Sequence, residues 1–185
     1  MERLIVITGT AGTGKSTLAR YLGRKIGADV IGANDLVKRY RLGISKDRYG
    51  TVVVDIGKLE KKAAEAAKNH SKKKNTLILE GHLLSEIKVR GAVAIVLREH
   101  LPTIIKRLEK RRYAFAKIRD NVISEAIDLC GSNSEKRYKR VYEVIGSSAR
   151  NDALHIIRNG RIGRKKIDLM PELLSLIKKN KDLLA

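Results

Sequence analysis

The stretch LIVITGTAGTGKS, Leu4 to Ser16, decides how the chain is read. Its first part, Leu4–Thr8, is β-branched and almost continuously apolar, the pattern of a strand covered on both faces in a parallel sheet. The second part, Gly9-Thr10-Ala11-Gly12-Thr13-Gly14-Lys15-Ser16, matches the pattern G-x-x-x-x-G-K-[ST] without mismatch. From Ser16 to about Ile26, Leu18, Ala19, Leu22 and Ile26 recur at helical spacing, with Lys and Arg on the other face. Strand, glycine-rich turn and helix together make the phosphate-binding context. Gly12 and Gly14 let the backbone bend so that amide N–H groups point inward, and the helix adds the positive end of its dipole. Lys15 is expected to reach the β and γ phosphates of ATP, Ser16 to ligate Mg²⁺ and Thr17 to touch the α phosphate. The dinucleotide fingerprint G-x-G-x-x-G fails, because the glycines run G-x-x-G-x-G, and hydride chemistry is set aside.

Working outward, Asp29–Ile31 reads as a second strand, followed by a brief helix capped by Asn34 or Asp35 and running to Tyr40. Arg41–Asp55 is polar and glycine-punctuated, and its apolar end, Val52–Val54, reads as a return to the sheet. Leu59–His70 is a helix, Lys72–Lys74 a cationic turn, and Thr76–Glu80 and Ala92–Leu97 are buried-type strands. Pro102 suits the first turn of a helix through Arg112. Ile118–Leu129 is a further helix, Val141–Ile145 a last strand, and Ala149–Arg158 and Pro171–Lys179 are helices separated by the basic stretch Arg161–Lys166. Short buried strands alternating with helices predict an α/β fold with a doubly wound parallel sheet, and the chain, residues 1–185, reads as one domain.

The triphosphate grip needs a second half. Glu80 ends the run TLILE, and a carboxylate at the C-terminal tip of a strand beside the phosphate-loop strand faces the Mg²⁺ and its waters. His82, two residues on, is placed to position a water or the acceptor, since a neutral imidazole both donates and accepts a proton. The alternative for His82 is a surface or satisfied histidine. His70, His100 and His155 lack metal-ligand spacing and read as structural. The single cysteine, Cys130, excludes an internal disulfide, fits a reducing cytoplasmic setting and reads as a buried structural thiol. No apolar run approaches the roughly 18 residues of a membrane span, and the opening strand leaves no room for a cleavable signal.

Taken with GTAGTGKST and the segment Leu79-Glu80-Gly81-His82, the run Val96-Leu97-Arg98, then Arg107-Leu108-Glu109-Lys110-Arg111-Arg112-Tyr113, Lys117, Asp120-Asn121 and Glu125 carries a family resemblance. Over roughly Met1 to Glu125 the chain resembles the small nucleoside monophosphate kinases of the adenylate kinase isoenzyme six type. That family is also described as ribosome-assembly ATPases, and the match is to its archaeal branch. The resemblance implies a P-loop fold with a five-stranded parallel core. Its two mobile elements are a monophosphate-binding region at about 32–54 and a short lid at about 110–120. It implies broad monophosphate kinase and ATPase activity, with ATP and Mg²⁺, and a place in late maturation of the small ribosomal subunit. The implied partners are pre-ribosomal RNA and a ribosomal protein of the small-subunit platform. It also places the lid arginine at Arg111, and the Walker-B acid and nearby histidine at Glu80 and His82. Arg112 stands where many relatives carry a glycine, and Lys38-Arg39-Tyr40-Arg41 makes the monophosphate region cationic.

Phosphoryl transfer develops charge that positive side chains must neutralise, and Arg107, Arg111 and Arg112 at a mobile helix tip answer that need. Three functions follow as expectations. The first is a kinase transferring from ATP to a monophosphate such as AMP, with Asp35 and Lys38 or Arg39 helping to seat the acceptor. The second is an ATPase assembly factor in which AMP is incidental. The third is a basic RNA-binding module that only holds ATP, which would need neither a Mg²⁺ carboxylate nor a lid. The formal net charge of +20 exceeds what one nucleotide requires, and with aromatic residues at 4% it points to phosphate contacts rather than stacked bases.

Overall fold

In the computed structural model, which describes residues 3–73, 75–160 and 166–179, a five-stranded parallel sheet is ordered β2-β5-β1-β6-β7. The strands are β1 (Leu4–Thr8), β2 (Asp29–Gly32), β5 (Leu77–Glu80), β6 (Val93–Arg98) and β7 (Val141–Ile145). Their apolar runs lack polar alternation because both faces are covered. Ile5, Ile7, Ile78, Val93, Ile95 and Leu97 point to one core, with Leu18 and Leu22 of α1 (Lys15–Ile26) and Ala153, Ile156 and Ile157 of α7 (Ala149–Asn159). Val6, Leu77, Leu79 and Ala94 point to the other, with Leu59 and Ala63 of α3 (Ile56–His70). A third core joins α4 (Leu101–Lys110), α5 (Phe115–Ala126) and α8 (Met170–Lys179) through Ile104, Leu108, Ile118, Val122 and Leu173. Among the described residues no helix is long and apolar enough to cross a membrane.

Three expectations are corrected. Val52–Val54 does not return to the main sheet. It forms β4, which pairs antiparallel with β3 (Gly43–Lys46) in a separate hairpin. The turn decides this: Asp47 Oδ1 accepts from the N–H groups of Tyr49 and Thr51, and Gly50 sits at φ 72, so the chain folds back at once. The short helix α2 (Ala33–Arg39) has Gly32 as its N-cap, with no side-chain cap from Asn34 or Asp35. The helix expected over Ile118–Leu129 starts earlier, at Phe115, and stops at Ala126. There Asp128, at φ 55, turns the chain, and its carboxylate accepts from Gly131 N–H to start α6 (Leu129–Arg137). Lys74 and Arg161–Lys165, part of the expected cationic turn and basic stretch, lie outside the described residues.

Candidate active site

Between β1 and α1 the loop Gly9–Gly14 bends at three positions, Gly9, Gly12 and Gly14, whose backbone favours glycine. A Cβ on Gly9 would lie 2.3 Å from the carbonyl oxygen of Leu97, and Gly12 and Gly14 adopt φ 91 and 101. At its outer wall Arg107 Nη1 donates to the carbonyls of Gly12 (2.9 Å) and Thr13 (3.2 Å) and pairs with Glu99 (3.0 Å). Arg107 therefore braces the loop while also lining the cleft beside Glu99 and Arg111. Lys15 Nζ donates to Thr10 O at 2.8 Å. Burial in the loop floor holds its pKa below the usual lysine value, although Cys130, Glu80 and Glu125 act in the opposite direction. Cys130 is half-buried behind the loop, and burial pushes its thiol pKa up, as a structural thiol requires.

β1 and β5 are hydrogen-bonded neighbours with Ile7 opposite Glu80, so the carboxylate emerges directly beside the loop. Ser16 Oγ lies 3.1 and 3.2 Å from the two oxygens of Glu80. Two hard oxygen donors side by side, with room for water, suit Mg²⁺, which keeps several waters and takes one or two protein oxygens. His82 opens a short 3₁₀ turn whose backbone is pinned, its carbonyl accepting from Thr8 Oγ1 (3.2 Å) and Ser85 Oγ (2.9 Å). Its ring faces the cleft. Desolvation by the cleft walls, then the charges of Lys15 and Lys117, lower its pKa to about 4, so it is neutral at pH 7.

One cavity of about 330 Å³ is lined by Gly12, Gly14, Lys15, Ser16, Thr17, Glu80, His82 and Arg111, the residues expected to hold the triphosphate, the metal and the transferred group. Arg20, Asn34, Thr51 and Tyr113 line it too. None of Asp35, Lys38 and Arg39, expected near the acceptor, lines it. Arg20 follows Ser16 by one helical turn, and its Nε donates to Ser16 O at 3.1 Å, so the i, i+4 spacing carried the signal that it faces the cleft. A second cavity of about 360 Å³ lies between Thr13, Glu99 and the Gly146–Arg150 segment and shares Gly12, Gly14 and Thr17 with the first. Arg111 lines both.

Arg111 sits at the C-cap of α4, and the turn after it is a Schellman motif. Arg112 N–H donates to Glu109 O (2.7 Å) and Tyr113 N–H to Leu108 O (3.2 Å), with Arg112 left-handed at φ 57. That conformation favours glycine, which explains the glycine that the family resemblance places there. Beyond the turn, α5 meets the hairpin tip across the cleft. Asp120 accepts from Arg48 (2.7 Å) and from the Tyr49 hydroxyl (2.6 Å), and Lys117 Nζ donates to Thr51 Oγ1 (2.6 Å). The Tyr49 and Arg48 hydrogen bonds hold the Asp120 carboxyl below the usual aspartate value. The other histidines have structural partners: His70 with Asn75 O, His100 with Glu172 and His155 with Asn159.

Strand order and site geometry define the class, a P-loop protein with a kinase-type fold. Residues 5–128 match the family described as "AAA domain". Proteins named "Putative adenylate kinase" align from Methanosarcina mazei at 38% identity over 76% of this chain and 77% of that protein, and from Methanocaldococcus jannaschii at 37% over 76% and 75%. A third, from Pyrococcus furiosus, aligns at 34% over 85% of each. Among solved structures, the shikimate kinase of Acinetobacter baumannii in complex with shikimate superposes with a TM-score of 0.52 at 15% identity, covering 86% of this chain and 95% of that one. TT1252 of Thermus thermophilus gives 0.54 at 22%, covering 87% and 98%. The chain belongs to the family of these archaeal proteins, built on the AAA-type P-loop domain.

Proposed function

We propose that the protein is a nucleoside monophosphate kinase that moves the γ-phosphoryl group of ATP to AMP or another monophosphate. The observation behind this reading is Arg111, which lines both cavities. A donor with its base in the Glu99–Arg150 cavity and its triphosphate over the loop ends beside Arg111, and an acceptor entering past Asn34 and Thr51 meets it there. The bond from the γ phosphorus to the bridging oxygen breaks, and a phosphate oxygen of the acceptor takes its place, giving two diphosphates. Lys15 and the loop amides hold the β and γ phosphates, and Arg111 neutralises charge as it spreads over the transferred group. His82, neutral, holds the acceptor side or a water by hydrogen bonding. Ser16 and Glu80 would hold Mg²⁺, which would supply charge neutralisation on the phosphates when bound. We assign the monophosphate-binding region to about 32–54 and the lid to about 110–120, consistent with the contacts of Asp120 and Lys117 with the hairpin tip.

The activity is tested by following ADP formation from ATP with and without AMP. AMP is expected to stimulate turnover, and Lys15→Ala to reduce it at least about 10³-fold by removing the phosphate-bound ammonium. Turnover that AMP leaves unchanged in the wild type overturns the kinase reading. A second reading is an ATPase of the ribosome-assembly, isoenzyme-six type, cytoplasmic and serving late small-subunit maturation with pre-ribosomal RNA and a platform protein as partners. The net charge of +20 favours it. Acceleration of ATP hydrolysis by RNA rather than by AMP distinguishes it.

A further inference from the structure

We propose that the end of the sheet opposite the cleft carries a docking groove for the phosphate backbone of a nucleic acid. The proposal rests on the nucleic-acid reading of the charge excess, gives it a location, and is independent of the kinase chemistry. The turn Lys88–Ala92 precedes β6 and the segment Arg137–Arg140 precedes β7, so both lie at the N-terminal ends of parallel strands, away from the phosphate loop. Two cavities of about 440 and 690 Å³ share Lys88, Val89 and Arg90 and form one groove from the face of α3 to the start of β7.

The groove wall carries Lys61, Lys68, Lys88, Arg90, Arg137 and Lys139, and among the described residues none of these six is in an ion pair. Glu60, the acidic residue on the same wall, has its carboxylate turned onto the backbone N–H of Lys88 at 3.0 Å. Helix termini account for part of the charge, since Lys68 and Arg137 lie in the last turns of α3 and α6, where cations offset the dipole. They do not account for Lys88, Arg90 and Lys139, which sit in turns.

The lining also selects among polyanions. The large exposed apolar side chains, among them Ile44, Phe115 and Ile127, lie elsewhere, so the groove offers nothing to insert into a lipid surface. Its aromatic residue, Tyr138, is buried with its hydroxyl donated to Leu84 O at 2.7 Å, which leaves no ring face for base stacking or for an interface anchor. Cations along a groove without an aromatic platform fit phosphates read one after another, independent of sequence.

The test is fluorescence anisotropy over a salt series with a short RNA duplex, a single-stranded RNA and a DNA duplex of the same sequence, and with phosphatidylserine vesicles as a further arm. Wild-type protein is expected to bind nucleic acid with steep salt dependence. The variant Lys88→Ala/Arg90→Ala/Lys139→Ala should bind at least about 10-fold more weakly at fixed salt, with a log–log salt slope shallower by about 2 to 3. Lys61→Ala/Lys68→Ala provides a second variant from a different element, and thermal unfolding and nucleotide binding, both expected at wild-type levels, serve as fold controls. Preference for RNA over DNA, or its absence, identifies the source of the backbone. Wild-type affinity in both variants, or loss of binding in Lys15→Ala, overturns the location. No nucleic-acid affinity at low salt, or binding to vesicles alone, overturns the nucleic-acid reading itself and leaves the kinase assay untouched.

Discussion

At the C-terminal ends of the strands, Arg107 is tied to Gly12, Thr13 and Glu99, Lys15 to Thr10, and Arg98, 1% exposed, to the carboxylates of Glu125, Asp128 and Glu143. At the N-terminal ends, Lys88, Arg90, Arg137 and Lys139 stand exposed with no such ties among the described residues. The same residue types thus do different work at the two ends of one sheet. In a parallel α/β layer the helices that follow strands begin at the cleft end, so backbone amides already supply positive charge there, and Arg98 and Arg107 are committed to geometry. At the other end Lys73 is tied to Asp29, but Lys88, Arg90, Arg137 and Lys139 make no ion pair among the described residues and can meet an external anion. Net charge alone therefore says little about which end performs chemistry.

The contrast can be broken by substitution. The largest effect is expected from Arg98→Leu, which removes the guanidinium and leaves three buried carboxylates facing one another. Denaturant unfolding should show a loss of about 3–5 kcal/mol. A similar stability to wild type would mean that the cleft-end cations are no more committed than those at the far end.

A smaller effect is expected from pH. Burial pushes the Asp128 carboxyl up to about 6, Arg98 pulling it down and Glu143 pushing it further up. The folded state then holds a proton between the ordinary aspartate value and about pH 6 that the unfolded chain has released, so stability should fall as pH rises through that window. Asp128→Asn keeps an acceptor for Gly131 N–H and should flatten this dependence, measured as unfolding free energy against pH.

The smallest effect belongs to the far end. Arg90→Ala should change unfolding free energy by less than about 0.5 kcal/mol, because it removes an exposed side chain with no ion pair among the described residues. A larger loss would place Arg90 in the fold and sharpen the comparison against the proposed groove.

Much of the fold was legible because its signals are local. LIVIT, TLILE and AVAIVL are apolar with little alternation, the pattern of strands buried on both faces. Val52–Val54 carries the same signal and misleads, because its partner was chosen by the Asp47–Gly50 turn rather than by its own hydrophobicity. The break at Asp128 was hidden for a similar reason. Asp128 turns left-handed where helix-forming residues run on either side, and its charge is held by Arg98, far away in sequence. In the site, Lys15, Ser16 and Glu80 were legible from motif and strand position. The contacts of Arg107 with the loop carbonyls were not legible, since a basic helix face looks the same whether it covers a phosphate or braces a loop.

The sequence by itself determined the phosphate loop, the alternation of strands and helices, the acid at the tip of β5 and the excess of positive charge, because each is written in neighbouring residues or in composition. Only the tertiary structure decided that Ser16 meets Glu80, that Arg111 lines two cavities, that the hairpin tip reaches Asp120 and Lys117, and that Lys88 and Arg90 share a groove with Arg137 and Lys139. Those meetings join residues far apart in the chain, and their partners are fixed by sheet order and packing rather than by any local preference.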